Sequence, residues 1–265
     1  MTELHDAGLS YSTVNTAKSA ISSFLQIIDV NNGQIGTNIL IKRFMRGIFG
    51  IKPALPKYNC TWDVDKVLTY LKTLSPLSDL SLLQLSRKLV TLFALSTGQR
   101  AQTIHLFDVR NIECSEKCIK VRIGDPLKQT RPQKHLPELC VASYTADKNL
   151  CVVHTYKHYI DRTAELRLGT QLFIRTQKPH SWVSKVTISH WIKQVLTDAG
   201  IDMSIFSPHS TRSAACSAAA TVVPIDTVLR TAGWSSENTF RKFYNRQVAT
   251  DGKFGEAVLK HLSSD

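Results

Sequence analysis

The sequence lacks the signatures of several protein classes. None of its six cysteines forms a CxxC pair, and Cys114-x3-Cys118 has no matching His or Cys pair at zinc-knuckle spacing. No apolar run approaches the length of a membrane span, and the opening residues MTELHDAGLS show no basic segment followed by an apolar core. We therefore expect a chain without a signal peptide or membrane partner, with free thiols in a reducing intracellular compartment.

Metal and nucleotide sites are also disfavoured. His154 and His158 are four residues apart on a predicted helix, but no Glu lies between them and no third ligand is near in sequence. Solvated histidines are therefore the preferred interpretation. Because a Walker motif is missing as well, we predict neither a metal nor a cofactor.

What the chain does have is positive charge. Among 265 residues, 33 Lys and Arg stand against 21 Asp and Glu, which gives a formal net charge of +12 and a pI near 9.5. A surplus of this size makes polyanions the first partners to consider, although an incidentally basic surface is an equal alternative on charge alone. The hydrophobic fraction of 43% and the charged fraction of 20% are those of an ordinary folded protein.

Hydrophobic periodicity divides the chain into a small helical part and a larger domain. Apolar residues recur at helical spacing over 13–30 and 37–49, and the prolines of the following segment GIKPALPKYN exclude a helix there. Two helices bury little surface, so we expect an upstream part of this small domain to be missing. The predicted organisation is a partial helical domain, a linker and one large domain, at 1–52, 53–60 and 61–265.

The large domain is predicted to be mainly α-helical with a small antiparallel β-sheet, which is an α+β class. Thr61 is placed to cap its first helix, and an apolar helix over 80–97 ends at Gly98. The absence of βαβ alternation argues against a Rossmann or flavodoxin architecture. Strands are expected at 118–123, 134–140 and 172–175. Later helices are expected at 149–166, 184–199, 209–221, 224–232 and 236–246.

Two short segments place cationic residues at the ends of these elements. In STGQRAQTI, Arg100 follows at once on Gly98, a position where an arginine often only satisfies helix-end carbonyls. In SPHSTRSAACSAAATV, His209 and Arg212 project to one side of a helix start, where free backbone N–H groups suit a phosphate. Positive charges in a first turn oppose the helix dipole unless an anion compensates, which weakens a purely structural interpretation.

A third segment, AGWSSENTFRKFYNR, combines aromatic and basic residues. Trp234 follows a helix-ending glycine, and Tyr244 lies on the next helix with Phe240 and Phe243. We predict that the two phenylalanines are core residues. Taken alone, Tyr244 would also be predicted as a core aromatic, so its interpretation depends on the other two segments.

Together, the three segments resemble the tyrosine recombinase (phage-integrase) family. That family combines an Arg after a TG turn, an H-x-x-R pair, a His or Trp, and a nucleophilic Tyr. The matching residues occur here in the same order and spacing, as Thr97-Gly98-Gln99-Arg100, His209-Ser210-Thr211-Arg212, Trp234 and Tyr244. The family's hairpin lysine matches Lys128 in DPLKQTRPQKH better than Lys134. The resemblance spans about 61–250 and departs from the family at Thr103, where many members carry Glu or Asp.

The reaction implied by the resemblance is metal-independent cleavage and rejoining of DNA. The two arginines would grip the non-bridging oxygens of the scissile phosphate, and the histidine and the indole N–H would add hydrogen bonds as negative charge develops. Tyr244 would attack the phosphorus and form a 3′-phosphotyrosyl bond. Lys128 would protonate the leaving 5′-hydroxyl.

The resemblance also implies relatives, partners and a location. The small domain would be the tail of the family's helical core-binding domain, which clamps DNA. The segments KQTRP and GWSSENTFRKFY are most similar to those of recombinases of eukaryotic mobile elements of the DIRS or Crypton type. Nuclear location follows from that function. The segment near 254–262 resembles the C-terminal helix that docks on a neighbouring subunit in a tetramer, although it could equally fold back on its own domain.

Double-stranded DNA would be held along its backbone, because phosphate contacts dominate such binding. For any one basic residue of the small domain or linker, a solvated helix face is an equal alternative. The predicted DNA contacts are Lys42, Arg43, Arg46, Lys52, Lys57, Arg131 and Arg241.

Three other functions are compatible with parts of the pattern. A type IB topoisomerase shares the chemistry but relaxes supercoils, and the arginine turn with the GWSS phrasing favours the recombinase. A domesticated DNA-binding protein would keep the fold without the reaction. The complete set of six site residues argues against this alternative, and the abbreviated first domain keeps it open. A basic interaction protein that does not bind DNA would have no reason to carry the pattern.

Overall fold

The chain folds into two compact units, residues 1–57 and 58–265. The computed structural model describes residues 1–28, 35–53, 58–127, 130, 132, 138–234 and 236–248. The described residues are mainly helical, with one small antiparallel sheet, which confirms the predicted fold class. The roles predicted for the two parts of the chain stay predictions.

The first unit is built from short helices around a small core. Its helices are α1 (Thr2–Asp6), α2 (Tyr11–Ile28) and α3 (Ile39–Ile51). The side chain of Asn38 begins α3 by accepting hydrogen bonds from two backbone N–H groups of the first turn. Only Val14, Met45 and Ile48 form the buried core among the described residues. So small a core agrees with the expectation that these helices bury little surface.

The second unit begins with α4 (Val64–Thr73), α5 (Leu82–Thr97) and α6 (Ala101–His105). Ser81 and Gln84 form a capping box that begins α5, and Gly98 ends it in the left-handed conformation, as predicted. The predicted cap of α4 was wrong. Asp63 caps that helix, because α4 begins at Val64 and the carboxylate of Asp63 accepts from the N–H of Asp65 over 2.9 Å.

A three-stranded antiparallel sheet follows, in the order β1 (Ile112–Cys114), β2 (Cys118–Arg122) and β3 (Glu138–Ala142). Its buried face carries Ile119, Val121, Leu139 and Val141. The alternation of buried and exposed residues is what the sequence shows for β2 and β3, whereas β1 is too short for a pattern. Most of the segment that joins β2 to β3 lies outside the described residues.

The strand predicted over 172–175 was wrong. Leu172, Phe173 and Ile174 are buried, but this stretch makes only isolated bridges, Asp108 with Gln171 and Ile174 with Trp182. The run is buried as extended chain, and its backbone hydrogen bonds to Phe107 on one side and to Ser181 and Val183 on the other are too few to form a ladder.

The remaining helices are α7 (Val152–Thr163), α8 (Lys185–Asp198), α9 (Ser210–Ala219), α10 (Ile225–Ala232) and α11 (Glu237–Phe243). Helix α5 lies at the centre and packs against α7, α8 and α9, with Leu85, Leu89 and Phe93 fully buried. A second, smaller core joins α9, α10 and α11 through Cys216, Val228, Ala232 and Phe240.

Phe240 is therefore a core residue, as predicted, while the side chain of Phe243 lies outside the described part. All six cysteines are free. No helix within the described residues is long and apolar enough to cross a membrane. The helix predicted near 254–262 falls on residues that the structure does not describe.

Candidate active site

The site begins at the glycine that ends α5. Gly98 has a φ of 60°, and a Cβ atom placed on it would lie 2.9 Å from the Sγ atom of Cys216 and 3.3 Å from the Cβ atom of Ala232. Only glycine combines this backbone conformation with so close an approach of α9 and α10. Arg100 follows two residues later in extended conformation and begins α6. The turn therefore brings Arg100 to the junction of the two hydrophobic cores.

Arg212 occupies the same junction from the first turn of α9. Its side chain is buried, with 1% exposed. The Nη1 atom donates to the carbonyl of Gly98 over 2.6 Å and to the carbonyl of Ala232 over 2.7 Å. One nitrogen of the guanidinium thus links the end of α5 to the end of α10.

The other two nitrogens of the Arg212 guanidinium do not bond to these helix ends. Nε and Nη2 are buried and have no hydrogen-bond partner among the described residues. No carboxylate of the described chain pairs with this guanidinium. Burial lowers the pKa of Arg212 to about 10, and the neighbouring cation of Arg100 acts in the same direction. Two buried N–H donors on a cation that pairs with no carboxylate of the described residues form a suitable binding site for an anion.

The indole ring of Trp234 lies over both arginines. The Cζ atom of Arg212 lies 4.0 Å from the ring centroid of Trp234, and that of Arg100 lies 5.9 Å from it. The Trp234 Nε1 atom is buried, and the indole interacts with the Cys216 thiol, which is only a weak acceptor. The indole therefore screens the cations from water on one side and offers a further donor.

Tyr244 completes the cluster from the end of α11. Its ring centroid lies 4.0 Å from that of Trp234 and 6.4 Å from that of His209. The tyrosine is half-buried and the histidine is exposed, so both rings face the open side of the site. Arg100, His209 and Arg212 line one shared concavity.

The structure thus brings together five of the residues that the sequence singles out, namely Arg100, His209, Arg212, Trp234 and Tyr244. Lys128 and its alternative Lys134 lie outside the described residues, as do Lys57 and Arg131. Thr103 is buried, with 3% exposed, and its N–H donates to the carbonyl of Arg100 over 2.9 Å.

Sequence reasoning missed residues that hold the cluster together. Gln99 is 3% exposed, and its Nε2 atom donates to the carbonyl of Thr231 over 2.8 Å. Ser213 and Ser217 both donate to the backbone carbonyl of Tyr244. Their four-residue spacing on a helix was the available signal, but serines at that spacing are too common to identify a role.

Some of the predicted DNA-contacting side chains already form hydrogen bonds or ion pairs within the chain. Lys42, Arg43, Arg46 and Lys52 are all exposed. Lys42 and Arg46 line one concavity of the first unit with Lys18, which is not among the predicted DNA contacts. The Nζ atom of Lys52 donates to the carbonyl of Gly8 over 2.6 Å, and Arg241 forms an ion pair with Glu237 at 2.6 Å. The last two cations are therefore already engaged within the chain.

The chain matches a known protein family over most of its second unit. Residues 63–250, more than half of the chain, match the phage integrase family. The chain belongs to that family. The match covers α4 to α11 and includes all five clustered site residues. Comparison with curated protein sequences gives no match.

Solved structures of recombinases share this fold. The integrase of transposon Tn1549 in complex with transposon right end DNA superimposes with a TM-score of 0.62 at 13% identity, over 99% of this chain and 83% of that one. XerA recombinase gives 0.53 at 16% identity, over 92% and 81%. XerH recombinase bound to palindromic difH substrate gives 0.53 at 13% identity, over 78% of this chain and 53% of that one. The chain thus spans about half the length of that XerH chain, and identities this low establish the fold alone.

Proposed function

We propose that this chain is a site-specific tyrosine recombinase that cleaves and rejoins duplex DNA through a 3′-phosphotyrosyl intermediate on Tyr244. The observation that carries the proposal is Arg212, a buried cation with two donors that lack a partner in the described chain, next to a second cation and a tyrosine. A phosphodiester supplies the negative charge and the acceptor oxygens that such a site requires. Membership of the phage integrase family supports the same reaction.

The proposed chemistry begins with phosphate binding in the shared concavity. The Nε and Nη2 atoms of Arg212 donate to the non-bridging oxygens, and Arg100 holds the same phosphate from the start of α6. The indole N–H of Trp234 adds a donor that strengthens as negative charge develops on these oxygens. Since the donors are fixed before the reaction, they stabilise the transition state with little rearrangement.

Strand cleavage then exchanges one phosphate ester bond for another. The Oη atom of Tyr244 forms a bond to phosphorus while the bond from phosphorus to the 5′-oxygen breaks. The exposed imidazole of His209, beside the tyrosine ring, can accept the phenolic proton. Lys128 stays the predicted donor of a proton to the departing 5′-oxygen. Attack of a new 5′-hydroxyl on the phosphotyrosine reverses these steps and rejoins the DNA.

The proposal extends to partners and origin. The XerH and Tn1549 proteins named above were solved with DNA, and the basic surface of α3 in this chain fits a duplex backbone. We propose that the first unit clamps double-stranded DNA and that the protein self-associates as a tetramer on it. The phrasing of the KQTRP and GWSSENTFRKFY segments supports an origin in a eukaryotic mobile element of the DIRS or Crypton type, and hence action in the nucleus.

The test is covalent capture of DNA. The protein is incubated with nicked duplexes that carry a randomised centre, the complexes are denatured, and strands that stay attached to protein are sequenced. We expect an adduct from the natural chain, none from Tyr244→Phe, and an undiminished adduct from Tyr144→Phe, which alters a tyrosine that is 50% exposed elsewhere on the domain. An adduct that persists in Tyr244→Phe would refute the assigned nucleophile.

Two further outcomes separate the alternatives. DNA binding without an adduct under any condition would overturn the recombinase proposal in favour of a DNA-binding module. Relaxation of a supercoiled plasmid without site preference would instead identify a type IB topoisomerase.

A further inference from the structure

The backbone of the tyrosine is held by two side chains of another helix. Helix α11 ends at Phe243, so the carbonyl of Tyr244 has no acceptor role within the helix. It accepts hydrogen bonds from the Oγ atoms of Ser213 over 2.7 Å and Ser217 over 2.8 Å. Both serines are 6% exposed, which places these bonds away from water. Two buried hydroxyls therefore converge on one carbonyl.

The same contacts continue along the chain beyond the tyrosine. The Oγ atom of Ser217 also accepts from the backbone N–H of Arg246 over 3.0 Å. Three residues after Tyr244, the chain meets Thr61, whose N–H donates to the carbonyl of Gln247 over 2.9 Å. Ser217 thus uses its hydroxyl once as a donor and once as an acceptor, and the segment 244–247 is held at three of its backbone groups.

The helix that supplies these serines is the one that carries the candidate phosphate-binding residues. His209 and Arg212 lie at the start of α9, and Ser213 and Ser217 lie about one and two turns beyond His209. A tyrosine side chain has few rotatable bonds, so fixing its backbone restricts where its Oη atom can lie. One rigid helix then sets both the position of the phosphate and the position of the attacking group.

We propose that Ser213 and Ser217 are positioning residues, which fix the Tyr244 backbone to α9 and so hold the phenol within reach of the phosphate. This inference rests on the proposed recombinase function. A hydroxyl pair that only satisfied a helix end would stabilise the fold without affecting the reaction of DNA once bound. The two interpretations therefore predict different effects on cleavage and on DNA affinity.

The central variant is Ser213→Ala/Ser217→Ala, compared with the natural chain in single-turnover adduct formation on the captured DNA site. We expect the rate to fall between about tenfold and hundredfold, because small misplacements of a reacting group have effects of this size. The dissociation constant for the same DNA should stay unchanged, since neither serine faces the concavity. Single variants at either position should show smaller losses, and they replace the double variant if it fails to fold.

Two controls separate positioning from folding. Ser86→Ala removes another fully buried serine hydroxyl, which bonds to the Leu82 carbonyl within α5, and should leave the cleavage rate unchanged. Ser217→Thr keeps a hydroxyl at the position and should recover most of the rate lost in Ser217→Ala. Thermal melting of each variant shows how much of any effect is lost stability.

A modified substrate identifies the step that is affected. Replacing the bridging 5′-oxygen by sulfur gives a leaving group that needs no protonation, so a lysine defect would be relieved. The double serine variant should stay slow on this substrate, because its defect lies in the attacking group. Recovery to the natural rate with sulfur would contradict the proposal.

Limited proteolysis without DNA tests whether Ser213 and Ser217 hold the segment 244–247 in place. In the double variant, trypsin should cut after Arg246 faster than in the natural chain, since the N–H of that residue has lost its acceptor. If trypsin cuts both proteins at the same rate and the double variant also cleaves DNA at the natural rate, the positioning role of the two serines is refuted while the proposed function stands. Failure of the natural chain to form any adduct would refute the proposed function and, with it, the catalytic part of this inference.

Discussion

Replacement of Arg212 by lysine separates the two tasks of its guanidinium. The Nη1 atom bonds to the carbonyls of Gly98 and Ala232, while Nε and Nη2 are left for the phosphate. Lysine keeps the positive charge but has a single nitrogen, which can reach the carbonyls or the phosphate but not both. Arg212→Lys is therefore expected to bind DNA while losing most of its transition-state stabilisation.

The size of the effect follows from these contacts. Loss of one fixed donor to a developing oxyanion costs about 2.7–4 kcal/mol, or roughly 10² to 10³ in rate. If the lysine keeps one of the two carbonyl bonds, the other is lost, and a hydrogen bond to a charged group contributes about 1.5–3 kcal/mol to the free energy of unfolding. The variant should therefore stay folded, with a lower melting temperature.

The assay measures single-turnover adduct formation on two substrates, the natural phosphodiester and a methylphosphonate that lacks one charged oxygen. The deficit of Arg212→Lys should be smaller on the neutral substrate, because less charge develops for the arginine to stabilise. Arg110→Lys is the control, as this arginine is exposed and pairs with Asp108 at 2.8 Å. A natural rate in Arg212→Lys, or an equal deficit on both substrates, would refute the phosphate-binding role.

Two further predictions concern DNA binding and stability. Lys42→Gln/Arg46→Gln should reduce the slope of log affinity against log salt by about 2, since each lost phosphate contact changes it by about 1, whereas an unchanged slope in binding assays would exclude these contacts. Burial lowers the pKa of Lys88 from 10.5 to about 8, so the unfolded chain binds more protons between these values. Urea titrations should therefore show the unfolding free energy of the natural chain rising with pH relative to Lys88→Met over this range. A constant difference between the two proteins would contradict this assignment.

Much of the fold could be predicted because local patterns decide it. The apolar spacing of α5 and the glycine at its end fix both a helix and its terminus, and the alternation of β2 and β3 fixes two strands. The errors arose where contacts with distant chain segments decide the backbone structure. The backbone of Thr61 pairs with the chain beyond Tyr244 and α4 begins only at Val64, while residues 172–175 make single bridges to the segments at 107–108 and 181–183 where a strand would make a ladder.

For the site, the sequence by itself determined the chemical types: two arginines, a histidine, a tryptophan and a tyrosine in a recognisable order. Only the tertiary structure decided that Arg212 joins two helix ends through one nitrogen and leaves two nitrogens for an anion. It also decided that Ser213 and Ser217 hold the tyrosine segment. Residue types follow from the chain alone, whereas hydrogen-bond partners depend on which faces of α5, α9, α10 and α11 meet, and no local pattern encodes that meeting.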